Sequence, residues 1–200
     1  MKTNKNNFFI ASQALFAALI LLLTLVFGSI KIGLVEITFI IVPVAIGGML
    51  FGPKSGALLG GVFGISSFLQ CIMGTSFFGV WLLGINPFYT FILCVIPRIL
   101  MGWLSAVIFK SLTKNGREKI IPYIIASICT PLFNTIFFVG TFALLFNNQL
   151  MGLANESGFN VWYYTIVVFV GINGLIEIIV SLLISPSVAK PLIKLVDKKF

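Results

Sequence analysis

Apolar runs alternate with short polar breaks along the chain, at about residues 8–28, 38–52, 55–72, 87–109, 120–146 and 161–185. A helix needs roughly 20 apolar residues to cross a bilayer. The run at about 38–52 is the shortest and carries Pro43, which predicts a kinked or broken element. The stretch 73–86, MGTSFFGVWLLGIN, is too apolar for an ordinary loop and too rich in glycine for a plain helix. It reads as a cap lying in the membrane interface, and it leaves five or seven spans as alternatives to six. The predicted fold is an all-α integral membrane protein: one domain over residues 1–200, a bundle of six transmembrane helices.

Composition supports the same class. The chain is 59 % hydrophobic and 9 % charged, against about 25 % charged residues in an ordinary soluble domain. Too few polar groups are present to cover the surface of a soluble fold. The N-terminal MKTNKNN precedes an apolar run longer than a signal-peptide core, so the reading is a retained first helix.

The net charge of +8 does not indicate nucleic acid, because the cations sit between apolar runs. With six spans, Lys2, Lys5, Lys54, the Lys110–Lys119 segment and the lysines from Lys190 onward share one side, and Lys31 stands alone on the other. Positive charge accumulates on cytoplasmic connections, so both termini are expected in the cytoplasm. The outer connections are then 29–37, 73–86 and 147–160.

Two strips of small residues predict close helix contacts. Gly56, Gly60 and Gly64 recur every fourth residue in the third span, which suits packing inside the bundle. Ala14 and Ala18 form a similar pair in the first span, equally suited to internal packing or to a separate membrane partner. Cys71, Cys94 and Cys129 all lie in apolar runs and read as buried small side chains rather than metal ligands or a disulfide.

The candidate chemistry lies at mid-depth. Arg98 follows the start of the fourth span by eleven residues, about 17 Å at ~1.5 Å per residue. Its guanidinium stays charged at any relevant pH. Lipid exposure there would cost at least ~2.5–3.5 kcal/mol, so it must face the bundle interior or a wet cavity. Asn134 and Asn173 fall at similar depth in the last two spans, with Glu177 one turn deeper. Gln70, Thr75 and Asn86 lie nearer the outer mouth. Phe77, Phe78, Trp81, Phe88, Tyr89, Trp162 and Tyr163 would form aromatic walls above. Together these residues describe an outward pocket with a fixed cation at its floor. The alternative is an Arg98–Glu177 ion pair that only staples two helices, or holds Arg98 toward a ligand.

Much chemistry is missing. The chain has no histidine, no aspartate within a span and no serine beside a plausible base. No metal or cofactor is expected, and a membrane enzyme is the weakest reading. GGMLFGPKS (47–55) is a near-miss to a phosphate-binding loop, but Pro53 separates Gly52 from Lys54 and the preceding run is a membrane span. Energy for uptake would have to come from another protein.

IIVPVAIGGMLFGPKSGALLGGVFG (40–64), INPF (85–88), PRILMGW (97–103) and the Ala14-xxx-Ala18 pair give the chain a recognisable shape. It resembles the substrate-capture (S) components of energy-coupling factor (ECF) vitamin transporters, over essentially its whole length, and most closely the pantothenate-binding branch. The resemblance implies a bacterial cell-membrane location and no ATPase of its own. It implies a transmembrane coupling (T) subunit, docked through Ala14 and Ala18, and two cytoplasmic ATPases. It further implies the pantothenate carboxylate on Arg98, the polar chain on Asn134 in CTPLFNT, backbone near Gly74 lining the site, and lids at 29–37 and 73–86. Transport would proceed by toppling of the loaded subunit in the membrane. Folate, biotin, niacin and riboflavin remain alternative vitamins, and an independent small-solute channel or exporter, dimeric through the glycine strip, is the alternative function.

Overall fold

One short helix organises the others. The structure is a computed structural model that describes residues 2–27, 31–32, 35–36, 39–114, 116–117 and 119–199. Helix α1 (Lys2–Phe27) is followed by a two-residue antiparallel pair, β1 (Lys31–Ile32) and β2 (Val35–Glu36). Then come α2 (Ile41–Phe51), α3 (Pro53–Ile72), α4 (Phe77–Ile85), α5 (Pro87–Leu112), α6 (Ile121–Leu145) and α7 (Asn147–Glu156). The last segment comprises α8 (Val161–Tyr164), a π-helical stretch (Thr165–Val170) and α9 (Gly171–Lys199).

Every residue of α2 from Ile41 to Leu50 is buried, because α1, α3, α5, α6 and α9 all pack against it. A helix that is apolar on every side is buried on every side. Its eleven residues reach about 17 Å, roughly half of a ~30 Å hydrocarbon core. Protein, not lipid, satisfies its surroundings, so it does not need spanning length. Five other segments among the described residues are long and apolar enough to cross a membrane: Asn6–Val26, Pro53–Ile72, Pro87–Leu112, Ile121–Leu145 and Gly174–Val196. The chain is a multi-pass membrane protein.

Local chemistry starts the helices where they start. Proline stands in the first turn of α3, α5 and α6, where its missing N–H costs nothing. Asn86 caps α5, its side-chain oxygen accepting from the Tyr89 amide at 3.0 Å. Ser76 caps α4 by accepting from Gly79 at 3.3 Å. The segment expected to be an irregular cap therefore contains a helix. Gly79 is needed there because a Cβ would collide with Cys71 Sγ. Hydroxyls inside the spans bond back to their own helices, as Thr130 does to the Ala126 carbonyl at 2.7 Å.

The glycine strip of α3 packs within the chain. A Cβ on Gly56 would collide with the Gly102 carbonyl, and one on Gly60 with the Arg98 carbonyl. One on Gly64 would come within 2.7 Å of Val95 Cα. Backbone contact of this kind replaces the hydrophobic drive that is missing between helices in lipid. The strip is occupied by α5, so it does not serve the dimer that an independent channel would need.

The two ends of the bundle differ. At one end Met49, Leu50, Phe109, Tyr123, Ala189 and Ile193 form a core that joins α2, α5, α6 and α9. Lys54, Lys110 and Lys190 lie on or beside these same segments. At the other end Leu82, Phe146, Leu150, Ala154 and Tyr164 bring together α4, α6, α7 and α8. The connections 73–86 and 147–160 thus form one cap, opposite the basic end. Most of the connection 29–37 lies outside the described residues.

Gly60→Ala should lower stability by about 1–3 kcal/mol, the usual cost of overpacking. Gly84→Ala, where a Cβ meets nothing within 4 Å, should leave it unchanged. Thermal unfolding of both variants in detergent checks the pair.

Candidate functional site

Proline chemistry positions the central cation. Pro97 lies inside α5 and has no N–H to give the carbonyl four residues earlier, which belongs to Leu93. Arg98 Nη1 donates to that carbonyl at 2.7 Å. The guanidinium is thereby folded back along its own helix. It lies 5.5 Å from the Phe63 ring centroid on α3 and 5.0 Å from that of Phe138 on α6. Cation–π attraction at such distances is worth roughly 0.5–2 kcal/mol. Arg98 keeps partial accessibility although it sits near the middle of α5.

Helix α6 has the same problem and a different answer. Pro131 leaves the Ser127 carbonyl without its helical amide. Ser181 Oγ of α9 donates to it at 2.8 Å, which ties α6 to α9. One turn past Pro131 on the same helix, Asn134 is 9 % exposed, and its Oδ1 is buried with no hydrogen-bond partner among the described residues. Phe138 follows Asn134 by four residues and so shares its face. Arg98 and Asn134 therefore approach the same inward face of α6, a turn apart. Glu177 of α9 is buried as well, at 7 % exposure. Asn173 lies on the α9 backbone, and its side chain is outside the described residues.

The mouth residues predicted from sequence have structural partners. Gln70 Nε2 donates to the Thr24 carbonyl of α1 at 3.1 Å. The Gln70 carbonyl receives the Thr75 amide at 3.1 Å and the Thr75 hydroxyl at 3.2 Å. Together these bonds close the end of α3. Gly74 has a φ of +78°, a left-handed conformation that favours glycine, and stands exposed in the same turn. Asn86 is the cap of α5 described above. The structure thus assembles Gln70, Gly74 and Thr75 into one turn and sets Asn86 at the following helix start. Among the aromatics, Phe78 packs on Phe142 and Tyr89 on Phe146, whereas Phe77, Phe88, Trp162 and Tyr163 are exposed.

Two features were not read from sequence. Phe63 and Phe138 frame the guanidinium, and the available signal was the four-residue step from Asn134 to Phe138. Cys71 and Cys94, expected to be separate apolar fillers, meet across α3 and α5 with their sulfurs 3.9 Å apart. Both are buried.

The first-helix strip has the opposite fate to the glycine strip. Ala14 and Ala18 are both exposed, on a helix segment of which 17 % is buried in the chain.

A bundle of membrane-crossing helices around a half-buried cation and a buried amide defines a membrane protein with an internal polar site. The profile of the family described as ECF transporter, substrate-specific component, matches residues 8–189, and the chain belongs to that family. It is accordingly a substrate-binding subunit of a transporter. Its partners are a transmembrane coupling subunit and ATPases, and its substrate is a small molecule. A comparison with curated proteins returned no match.

The buried Asn134 oxygen gives a direct test. A buried polar atom without a partner costs about 1–3 kcal/mol. Asn134→Leu should therefore raise the unfolding temperature of the ligand-free protein, measured in detergent, while an unchanged or lower value would show the amide to be satisfied.

Proposed function

We propose that this chain captures pantothenate for an ECF importer of the bacterial cell membrane. It does so as a single six-helix domain with α2 as the short second span and both termini cytoplasmic. The observation that carries the reading is Arg98. A permanent cation lies halfway along a membrane helix, oriented by the Leu93 carbonyl and framed by Phe63 and Phe138. Its planar fork matches a carboxylate. The Asn134 oxygen, buried and lacking a partner among the described residues, suits a hydroxyl or amide N–H of the same ligand. Pantothenate carries a carboxylate, hydroxyls and an amide within one small molecule. Folate, biotin and niacin share the carboxylate, and riboflavin lacks it.

In this reading the ligand enters at the end capped by α4 and α7, with Gln70, Gly74, Thr75 and Asn86 shaping its mouth and Asn173 adding an amide from α9. The exposed Ala14 and Ala18 dock on the coupling subunit. The loaded chain then topples in the membrane, and two cytoplasmic ATPases reset it. The concentration of cations at the opposite end of the bundle supports the cytoplasmic assignment of that end.

Calorimetry on the purified chain should give one-to-one pantothenate binding. Arg98→Ala should weaken it roughly 30-fold or more, the effect of deleting one partner of a buried charge pair. Retained affinity in a folded Arg98→Ala protein would remove the guanidinium from the site. Tight binding of another vitamin instead would move the chain to another branch. Replacing Ala14 by Trp should abolish ATP-driven uptake in reconstituted vesicles containing all subunits and leave binding intact. Loss of binding there would mean that the strip packs internally.

A further inference from the structure

A second site lies at the basic end of the bundle, away from Arg98. A cavity of about 620 Å³ opens there between α1, α2, α3, α5 and the segment before α6. This is within the ~300–1,000 Å³ typical of ligand clefts. Its charged lining among the described residues is Lys54, Lys110 and Arg117, all cations. Its apolar lining includes Phe9, Phe51 and Trp103. Phe9 and Trp103 are 42 % and 45 % exposed, so the apolar wall continues onto the outer, lipid-facing surface.

The cations are brought together by the fold. Lys54 lies in the first turn of α3, Lys110 in the last turn of α5, and Arg117 in the following connection. The buried Tyr123 hydroxyl donates to the Arg117 carbonyl at 3.0 Å, and Tyr123 packs edge-on to Phe109 at 4.9 Å. The connection is thus anchored over the cavity. Topology alone explains why cations accumulate at this end. It does not explain why three of them converge on one cavity whose apolar wall runs out to lipid.

We infer that this cavity binds the headgroup of an anionic phospholipid, with Lys54, Lys110 and Arg117 on the phosphate and an acyl chain along Phe9 and Trp103. Basic pockets between membrane helices on the cytoplasmic side bind such headgroups. A free phosphate would make no use of the apolar wall. Placing the lipid in the inner leaflet rests on the orientation proposed above, whereas the binding itself does not. Because Phe9 belongs to α1, the lipid would border the helix that carries Ala14 and Ala18.

The test uses the full chain in nanodiscs of equal phosphatidylglycerol and phosphatidylcholine, followed by native mass spectrometry of retained lipid. The parent should retain phosphatidylglycerol preferentially. Lys54→Gln, Lys110→Gln and Arg117→Gln should each reduce that preference, by about fivefold per cation, and the triple variant should abolish it. Lys190→Gln with Lys194→Gln, at the same end but outside the cavity lining, should retain it. The single variants keep the test decisive if the triple one does not fold. Unchanged preference in the three single variants overturns the site. An equal loss from Lys190 and Lys194 also overturns it, since the attraction would then be diffuse. Displacement of lipid by soluble glycerol phosphate at equal concentration would assign the cavity to a free phosphate instead. Protection of Lys54 and Lys110 from amine labelling by the coupling subunit in pure phosphatidylcholine would assign it to that partner. Both results exclude the lipid. Nanodiscs expose both leaflets, so a wrong orientation would leave these readouts unchanged.

Discussion

The contact between the backbones of α3 and α5 is the constraint on which the rest depends. Gly56 and Gly60 touch the carbonyls of Gly102 and Arg98, and Gly64 reaches Val95. Three turns of helix are held at a separation that a single methyl group would break. The same contact sets the height and rotation of Arg98, because its own carbonyl lies against Gly60. Phe63, one residue before Gly64, then meets the guanidinium. Scaffold and candidate site are therefore not separable here: the glycines that close the bundle also aim its central cation.

Hydrogen-bond accounting supplies the second layer. No water is available in the hydrocarbon core to rescue an orphan carbonyl. Pro97 and Pro131 each create one, and each is answered by a side chain already required nearby. Arg98 serves Leu93 and Ser181 serves Ser127. The first answer orients a charge and the second joins two helices. Against this background the Asn134 oxygen stands out, with no partner among the described residues. It is the group that the proposed ligand would complete.

The surface is equally uneven. Two strips of small residues have similar spacing, yet one is covered by α5 and the other is exposed on α1. One end of the bundle is capped by α4 and α7, and the other gathers the cations around a cavity. These asymmetries suit a subunit that takes a ligand at one end, meets a membrane partner along one flank and contacts anionic lipid at the other end.

Several features were legible in the chain because they depend on local composition. Apolar run length gives the helices, and Pro53 and Pro87 mark helix starts through backbone chemistry confined to one turn. The depth of Arg98 follows from counting residues along its helix. Other features depend on which helix faces which, and lipid-facing and core-facing residues are equally apolar, so sequence cannot rank them. The burial of α2 on every side, the occupation of the glycine strip by α5, the meeting of Cys71 with Cys94 and the framing of Arg98 by Phe63 and Phe138 required the assembled bundle. So did the structural roles of Gln70, Thr75 and Asn86, which as isolated polar residues looked the same as ligand contacts. The chain by itself determined a membrane protein with a cation at mid-depth. Tertiary structure decided what surrounds that cation, because contacts between distant segments set its neighbours.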